Sequence, residues 1–274
     1  MTHCKKQLVS AYPITYSEYA FDAPASESVL SGWSFQVDAS FEGSYSHRVL
    51  PDGCVSIAYR MGQSERERAL IVSGPRIHAM QMDVCAGDSF WGMRFWPDVG
   101  GVILGSDPMM LRDRNSLLSA FLKDEASLLE AQLKNCRDYR EAQVVFQSFT
   151  IQRLVQCPPI DIGVRQCLIA INQSNGSQPV HELAIQLRLG IRQLQRRFRS
   201  RVGLTIKEYA RIRRIRTALA NAIEPSPKDW ASVAANSGFS DQAHLSREAT
   251  ALTGLPPAGF QSYIRHIRHH NVDP

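Results

Sequence analysis

The chain has 274 residues, of which 44% are hydrophobic and 21% are charged, a balance typical of soluble globular proteins. This composition excludes wholesale disorder, and no apolar run approaches the roughly 18 residues that a membrane helix needs. The first residues contain no apolar core of a secretory signal, so we expect a cytoplasmic protein without a membrane partner.

The net charge of +5 is unevenly distributed along the chain. Residues 1–159 contain 15 basic and 18 acidic residues, whereas residues 160–274 contain 16 basic and 8 acidic residues. Apolar residues are interleaved throughout the basic part, so it is not a low-complexity tail. A polyanion-binding module attached to a second, near-neutral domain is therefore predicted.

The first 111 residues have the pattern of a β-rich domain. Short strand-like stretches alternate with turn-forming residues such as Pro51-Asp52-Gly53, Ala86-Gly87-Asp88 and Gly100-Gly101, which favours a β-barrel or sandwich. The predicted strands include Trp33–Val37, Val55–Tyr59, Ala69–Val72 and Phe90–Phe95. Residues 1–113 are expected to form a sensory or assembly domain.

The periodicity becomes helical from about residue 114, and residues 114–159 are expected to form a helical segment and linker. Leucines and phenylalanines recur at i, i+3 and i+4, and Cys157-Pro158-Pro159 ends the pattern. Apolar stripes of this kind fit two roles, covering the barrel or pairing with a second copy as a homodimer seam, and the sequence leaves both open.

Residues 160–274 predict an all-α domain of seven helices separated by glycine- and proline-containing turns. The predicted spans are 161–174, 179–187, 191–202, 205–222, 229–237, 241–252 and 257–269.

Residues 180–202 have the pattern of a helix-turn-helix. Leu183 and Leu187 form one apolar stripe, a break follows at 188–190, and Leu194 and Phe198 form a second stripe. The face opposite this second stripe carries side chains suited to base edges and phosphates, since Arg binds guanine and Gln binds adenine bidentately. These candidate DNA-binding residues are Arg192, Gln195, Arg196 and Arg199.

The same pattern recurs from Asp229, with a break at Ser237-Gly238-Phe239 and a candidate helix cap at Ser240 or Asp241. The outward candidates for DNA contact on this second unit are Gln242, Ala243, His244 and Arg247. Eleven basic residues and one acidic residue, Glu208, lie between Arg188 and Arg216. Such a one-sided stretch repels itself unless a polyanion neutralises it.

These residues resemble the DNA-binding domain of the AraC/XylS transcription regulators, in which two helix-turn-helix units are joined by a long helix. The resemblance covers residues 179–263, roughly the last third of the chain, and rests on several spaced elements. They are Glu182-Leu-Ala, Leu194-Gln-Arg-Arg-Phe198, Val202-Gly-Leu-Thr-Ile-Lys-Glu-Tyr209, Ala234-Ala-Asn-Ser-Gly-Phe-Ser-Asp241 and Gly254-Leu-Pro256. By position, the resemblance implies base contacts from Arg192, Gln195, Arg196, Ala243 and Arg247.

The sequence departs from the family pattern in both units. Gly190 occupies the usual serine cap, Arg188 replaces a turn glycine, and Ala249 stands where the second unit normally has a core phenylalanine, beside the added charge of Glu248. Because losing a core phenylalanine costs about 3–5 kcal/mol unless neighbours fill the space, the first unit is expected to supply most of the DNA affinity.

The N-terminal part resembles the β-rich sensory domain of one branch of these regulators, through Val49-Leu-Pro-Asp-Gly-Cys-Val55, Val72-Ser-Gly-Pro75 and Gly92-Met-Arg-Phe95. Candidate residues for a small-molecule pocket are Arg48 and Arg94, for an anionic group, and Trp91. Cys54 is expected to be buried and inert. Neither a metal-ligand spacing nor a catalytic motif is present, so no cofactor, metal site or enzymatic activity is expected.

The sequence therefore predicts an α+β protein with a β-barrel or sandwich-like N-terminal domain, covering helices, and a C-terminal domain with two helix-turn-helix units. The predicted function is sequence-specific DNA binding in transcription regulation, with a small-molecule effector at the N-terminal domain and, for an activator, contact with RNA polymerase. Two alternatives remain open. One is a constitutive DNA-binding protein whose N-terminal domain only dimerises, and the other is a barrel enzyme fused to a DNA-binding module.

Overall fold

The computed structural model describes residues 14–41, 44–62, 67–223, 229–264 and 267–272. It has the predicted α+β architecture, a β-rich N-terminal domain followed by a helical C-terminal domain. None of the helices in these ranges combines the length and apolar character that a membrane-spanning helix needs.

The N-terminal domain is built on a seven-stranded sheet with the order β8-β5-β4-β7-β2-β1-β9. Neighbouring strands are antiparallel except β1 and β9, which are parallel. The strands are β1 (Ile14–Tyr19), β2 (Val29–Val37), β4 (Ser56–Met61), β5 (Ala69–Ser73), β7 (Ser89–Phe95), β8 (Asn115–Leu117) and β9 (Ile267–Val272).

A two-stranded antiparallel ribbon of β3 (Ser44–Val49) and β6 (Met80–Cys85) lies against one face of this sheet. Apolar side chains of the sheet and ribbon, including Phe35, Val84 and Phe90, form a small shared core. Because successive side chains of a strand point to opposite faces, alternate residues of the same strands are left for the other face.

That other face is covered by four helices, which is one of the two roles that the apolar stripes of the sequence left open for the longer two. Ile57, Tyr59, Met93 and Phe95 of the sheet pack into one buried cluster with these helices. The helices are α1 (Gly100–Leu104), α2 (Pro108–Leu111), α3 (Lys123–Lys134) and α4 (Tyr139–Val155).

Two expectations for this region were wrong in detail. Gly100-Gly101 was predicted as a turn but begins α1, where both glycines are buried and a Cβ at Gly100 would lie 2.2 Å from Val55. The helical pattern from residue 114 was predicted to start a helix, but Asn115–Leu117 pair with β5 as β8 and the helix begins only at Lys123. Backbone pairing at a free sheet edge overrides the local apolar periodicity there.

The C-terminal domain contains seven helices in its described residues, close to the predicted spans. They are α5 (Ile162–Gln173), α6 (Val180–Gln186), α7 (Ile191–Val202), α8 (Ile206–Ile223), α9 (Trp230–Asn236), α10 (Gln242–Thr253) and α11 (Pro257–Ile264). They share one core that includes Leu183, Leu194, Phe198, Tyr209 and Leu245.

The last helix is shorter than predicted. Helix α11 ends at Ile264 instead of continuing to residue 269, and residues 267–272 form β9, which pairs in parallel with β1. The prediction of a helix up to residue 269 was therefore wrong at its C-terminal end. Local spacing could not reveal that a distant strand offers its edge to this segment.

Candidate nucleic-acid interface and ligand cavity

The first helix-turn-helix unit consists of α6 and α7, joined by the turn at 187–190. Arg188 adopts the left-handed conformation at φ 53°, which a residue with a Cβ adopts at a cost of about 1–2 kcal/mol. Gly190 is the N-cap of α7 in an extended conformation and makes no side-chain cap. The turn geometry is thus preserved although Arg188 stands where the family pattern has glycine.

Helix α7 separates a buried face from an exposed face. Leu194 and Phe198 are 0% exposed in the core. The predicted DNA-binding residues of this helix, Arg192, Gln195, Arg196 and Arg199, are all exposed. Four long polar side chains spaced over two turns of one helix form a row that solvent, and therefore a duplex, can reach.

Not all of the basic stretch faces solvent, contrary to the simplest interpretation of its charge. Arg197 forms an ion pair with Asp161, with Nη2 2.5 Å from Oδ1. Arg211 pairs with Glu248, with Nε 2.5 Å from Oε2. The added negative charge of Glu248 is therefore neutralised within the domain, and part of the basic stretch holds helices together.

The single acidic residue of that stretch, Glu208, stabilises the start of α8. Its carboxylate accepts a hydrogen bond from the Thr205 amide at 2.7 Å, and the Thr205 hydroxyl accepts one from the Glu208 amide at 3.2 Å. This reciprocal pair is a capping box. Burial alone would raise the pKa of the Glu208 carboxyl. The hydrogen bond from the Thr205 amide and the ion pair with Arg112 of the N-terminal domain, 2.7 Å away, more than offset this effect and lower that pKa.

The second unit consists of α9 and α10. Asp241 caps α10 by accepting a hydrogen bond from the His244 amide at 2.6 Å, as predicted for one of two candidate caps. Gln242, Ala243 and Arg247 are exposed, whereas His244 is half-buried and its Nδ1 lies 3.1 Å from the Ser240 hydroxyl. His244 is therefore less available to a partner than its three neighbours.

A cavity of about 170 Å³ lies between the sheet and the β3–β6 ribbon of the N-terminal domain. Trp33 and Phe35 of β2, Phe90 and Arg94 of β7, and Met82 of β6 contribute to its wall. Most of the lining side chains are apolar, as is typical of small-molecule sites.

Of the three candidate pocket residues, only Arg94 lines this cavity, and its charge is already compensated. Its Nε lies 2.6 Å from an Asp52 oxygen and its Nη1 lies 3.2 Å from Glu18. Burial opposes its ionisation, but these carboxylates more than offset that effect and raise the pKa of Arg94. Arg94 is therefore held as a cation by the protein itself.

The other two candidates lie elsewhere. Trp91 packs with the cluster on the opposite, helix-covered face of the sheet. Arg48 donates from Nη1 to the carbonyl oxygen of Thr253 at the end of α10, 3.2 Å away. The strand alternation could have excluded Trp91, because residues 91 and 94 differ by an odd number and cannot share a face of β7. Sequence analysis missed Tyr16, Arg76, Met80 and Phe90 as lining residues.

Cys54 is buried at the edge of this cavity, and burial raises the pKa of its thiol well above the ordinary value. This agrees with an inert cysteine, because the thiolate is the nucleophile. Among the described cysteines, Cys167 is also buried, whereas Cys85 is exposed. The described residues contain no group of three or more His, Cys, Asp or Glu side chains arranged to hold a metal ion.

Two family models match the chain, one in each domain. Residues 183–271 match the helix-turn-helix domain family HTH_18, and residues 22–116 match a domain of unknown function, DUF6597. Fold and site together define a protein with a β-rich N-terminal domain and two helix-turn-helix units. The C-terminal domain is an AraC-type helix-turn-helix domain, as the resemblance predicted.

The chain is also similar to solved structures of ToxT from Vibrio cholerae. One is 12% identical, covers 80% of this chain and 97% of that chain, and has a TM-score of 0.47. Another, bound to (E)-4-(8-methylnaphthalen-1-yl)but-3-enoic acid, is 14% identical, covers 91% and 98%, and has a TM-score of 0.44. No curated protein matches the chain.

Proposed function

We propose that the protein is a sequence-specific DNA-binding transcription regulator of the AraC type, acting in the cytoplasm and without enzymatic activity. The observation that carries this proposal is the exposed row of Arg192, Gln195, Arg196 and Arg199 on α7, opposite a fully buried stripe. Arg and Gln bind base edges bidentately, and guanidinium groups neutralise phosphates.

The second unit contributes a smaller set of contacts in this proposal. Arg247 and Gln242 are exposed on α10, and the exposed methyl group of Ala243 is suited to contact with a thymine methyl. Two recognition helices of this type read successive major-groove segments about 34 Å apart on one side of the duplex. The first unit supplies most of the affinity because it presents more cationic side chains.

The N-terminal domain would place this DNA binding under the control of a small molecule. The cavity between sheet and ribbon supports this role, because its walls are apolar and a few polar groups converge on it. A ligand changes DNA affinity only if it binds the DNA-competent and incompetent states differently. We also propose that the protein forms a homodimer and that it contacts RNA polymerase at the promoters that it activates.

The direct test is to incubate the purified full-length protein with fragmented genomic DNA, with and without an extract of cell metabolites, and to sequence the retained fragments. A shared sequence motif whose retention depends on the metabolites supports the full proposal. A motif retained equally in both samples would instead support a constitutive DNA-binding protein, and retention without any motif would contradict sequence-specific regulation.

A further inference from the structure

The size of the cavity restricts what it can hold. Its volume of about 170 Å³ is close to that of an engineered cavity of about 150 Å³ that binds benzene, and well below the roughly 300–1,000 Å³ of sites for drug-sized ligands. A single six-membered ring with a small substituent therefore matches the volume of this cavity.

The walls of the cavity favour a flat ring. Tyr16, Trp33, Phe35 and Phe90 line it from three neighbouring strands. The rings of Tyr16 and Trp33 are stacked with centroids 6.5 Å apart, and those of Phe35 and Phe90 meet edge to face at 5.8 Å. Aromatic rings prefer such offset or edge-to-face partners. A bound aromatic ring can therefore make the same kinds of contact with the rings that line the cavity.

The polar groups of the cavity favour an oxygen acceptor on that ring. Arg94 is compensated by Asp52 and Glu18, but Arg76 donates to two uncharged oxygens, the Asp113 carbonyl and the Asn115 side chain. The Nε of Arg76 is buried and has no hydrogen-bond partner among the described residues. A buried donor without a partner is unfavourable, and a ligand oxygen within hydrogen-bond distance of this nitrogen would satisfy it.

The ribbon wall of the cavity is also the support of the second recognition helix. His47, Val49 and Met80 line the cavity. Arg48, between two of them, donates to the Thr253 carbonyl at 3.2 Å, and the Ala79 amide donates to the Leu252 carbonyl at 2.7 Å. The last carbonyls of a helix have no partner within it. Arg48 of the ribbon and Ala79, just before β6, therefore supply donors to the last two carbonyls of α10.

A hydrogen-bonded chain joins the same wall to α11. The Tyr263 hydroxyl accepts from the Arg48 amide at 2.7 Å and lies 2.8 Å from Nδ1 of His47. The His47 ring in turn lies 4.6 Å from the Phe35 ring across the cavity lining. Displacement of His47 by a ligand thus changes the position of Tyr263 and the end of α10 together.

We propose that the cavity binds a single-ring aromatic molecule with one oxygen acceptor, and that its occupancy reaches the second helix-turn-helix unit through His47, Arg48 and Tyr263. This inference rests on the proposed DNA-binding function and adds the class of effector and its route of action.

The cavity is tested by titration calorimetry on the full-length protein with benzamide, benzylamine and cyclohexanecarboxamide. Benzamide is expected to bind at least tenfold more tightly than the cationic and the non-flat analogues. Ala58→Leu, which places extra atoms in the cavity from β4, is expected to abolish binding, and Arg76→Met is expected to weaken it at least tenfold. Absence of benzamide binding to the native protein, or native affinity for benzamide in either variant, overturns the proposal.

The route is tested by measuring DNA affinity with and without saturating benzamide on a fragment that the protein retains. A change of at least about fivefold is expected, in the usual range of coupling between two sites. Tyr263→Phe, which removes only the hydroxyl, should abolish this change. Tyr45→Phe is the matched control, because the Tyr45 ring stacks on Tyr263 while its hydroxyl makes no hydrogen bond to the described residues.

Each of the two experiments can contradict its own part of the proposal independently of the other. Benzamide binding with unchanged DNA affinity, or a change that survives Tyr263→Phe, overturns the route. If no DNA is retained at all, the proposed function fails, whereas the calorimetry still decides whether the cavity takes this class of molecule.

Discussion

Arg165 of α5 and Asp98 of the N-terminal domain form a forked ion pair that joins the two domains. The Arg165 Nε lies 3.0 and 3.2 Å from the two carboxylate oxygens, and Nη2 lies 3.0 Å from one of them. The Asp98 side chain is fully buried, and the guanidinium group also lies over the Trp96 ring at 4.8 Å. The domain contact therefore depends on a charge that has no access to water.

Breaking this pair should destabilise the protein strongly. Arg165→Met leaves the buried Asp98 carboxylate without its cation, and we expect a loss of about 3–5 kcal/mol in the free energy of unfolding, measured by urea denaturation at pH 7. Burial already raises the pKa of Asp98 despite Arg165. The loss should therefore become smaller as the pH falls and the carboxyl of the variant takes up a proton. The double variant Asp98→Leu/Arg165→Met should recover most of the stability, and equal instability of both variants would contradict this account.

The turn of the first helix-turn-helix unit stores strain at Arg188. Its φ of 53° is in the left-handed region, where glycine carries no Cβ penalty. Arg188→Gly is expected to raise the free energy of unfolding by about 0.5–1 kcal/mol, after the greater freedom of glycine in the unfolded chain is subtracted. Arg188→Ala removes the same charge but keeps the Cβ, so it should not stabilise. Equal effects of the two substitutions would assign the change to charge instead of backbone strain.

His47 makes stability depend on pH. Burial lowers its pKa from 6.5 to about 4, so the folded state favours the neutral ring, whose Nδ1 lies 2.8 Å from the Tyr263 hydroxyl. Its contribution is complete above pH 6.5 and is lost as the pH falls from 6.5 towards 4, by at most about 3 kcal/mol. His47→Gln should flatten the pH dependence of the thermal midpoint in that window. His181→Gln, at an exposed position of α6, should leave it unchanged, and a native-like slope in both variants would exclude His47 as the cause.

Arg196 and Arg197 are neighbours with opposite roles in this proposal. Arg196→Ala should weaken specific DNA binding by about 1–3 kcal/mol and relax the preference at one base pair, measured by competition binding. Arg197→Ala should affect mainly stability, because Arg197 pairs with Asp161. Binding of the native protein should fall steeply with salt, since several phosphates are neutralised. Unchanged sequence preference in Arg196→Ala, or a flat salt response, would mean that α7 does not face the duplex.

The local sequence pattern was sufficient to predict the helices of the C-terminal domain and their approximate boundaries. Leu194 and Phe198 recur at helical spacing and are buried, and the glycines and prolines between helices mark the observed boundaries closely. Apolar periodicity and turn chemistry act within a few residues, so they can be recognised in a single sequence. The exposed row on α7 follows from the same periodicity, because it is the face that the core does not use.

Only the tertiary structure decided which polar side chains are available to a ligand or to DNA, and where the cavity lies. Arg48 and Arg94 look equivalent in the sequence, yet one supports the end of α10 and the other is compensated by Asp52 and Glu18. Residues 267–269 were predicted as the end of the last helix, but residues 267–272 pair with β1. In each case the partner lies far away along the chain, and the energy of a hydrogen bond or ion pair depends on that partner, which no local spacing specifies.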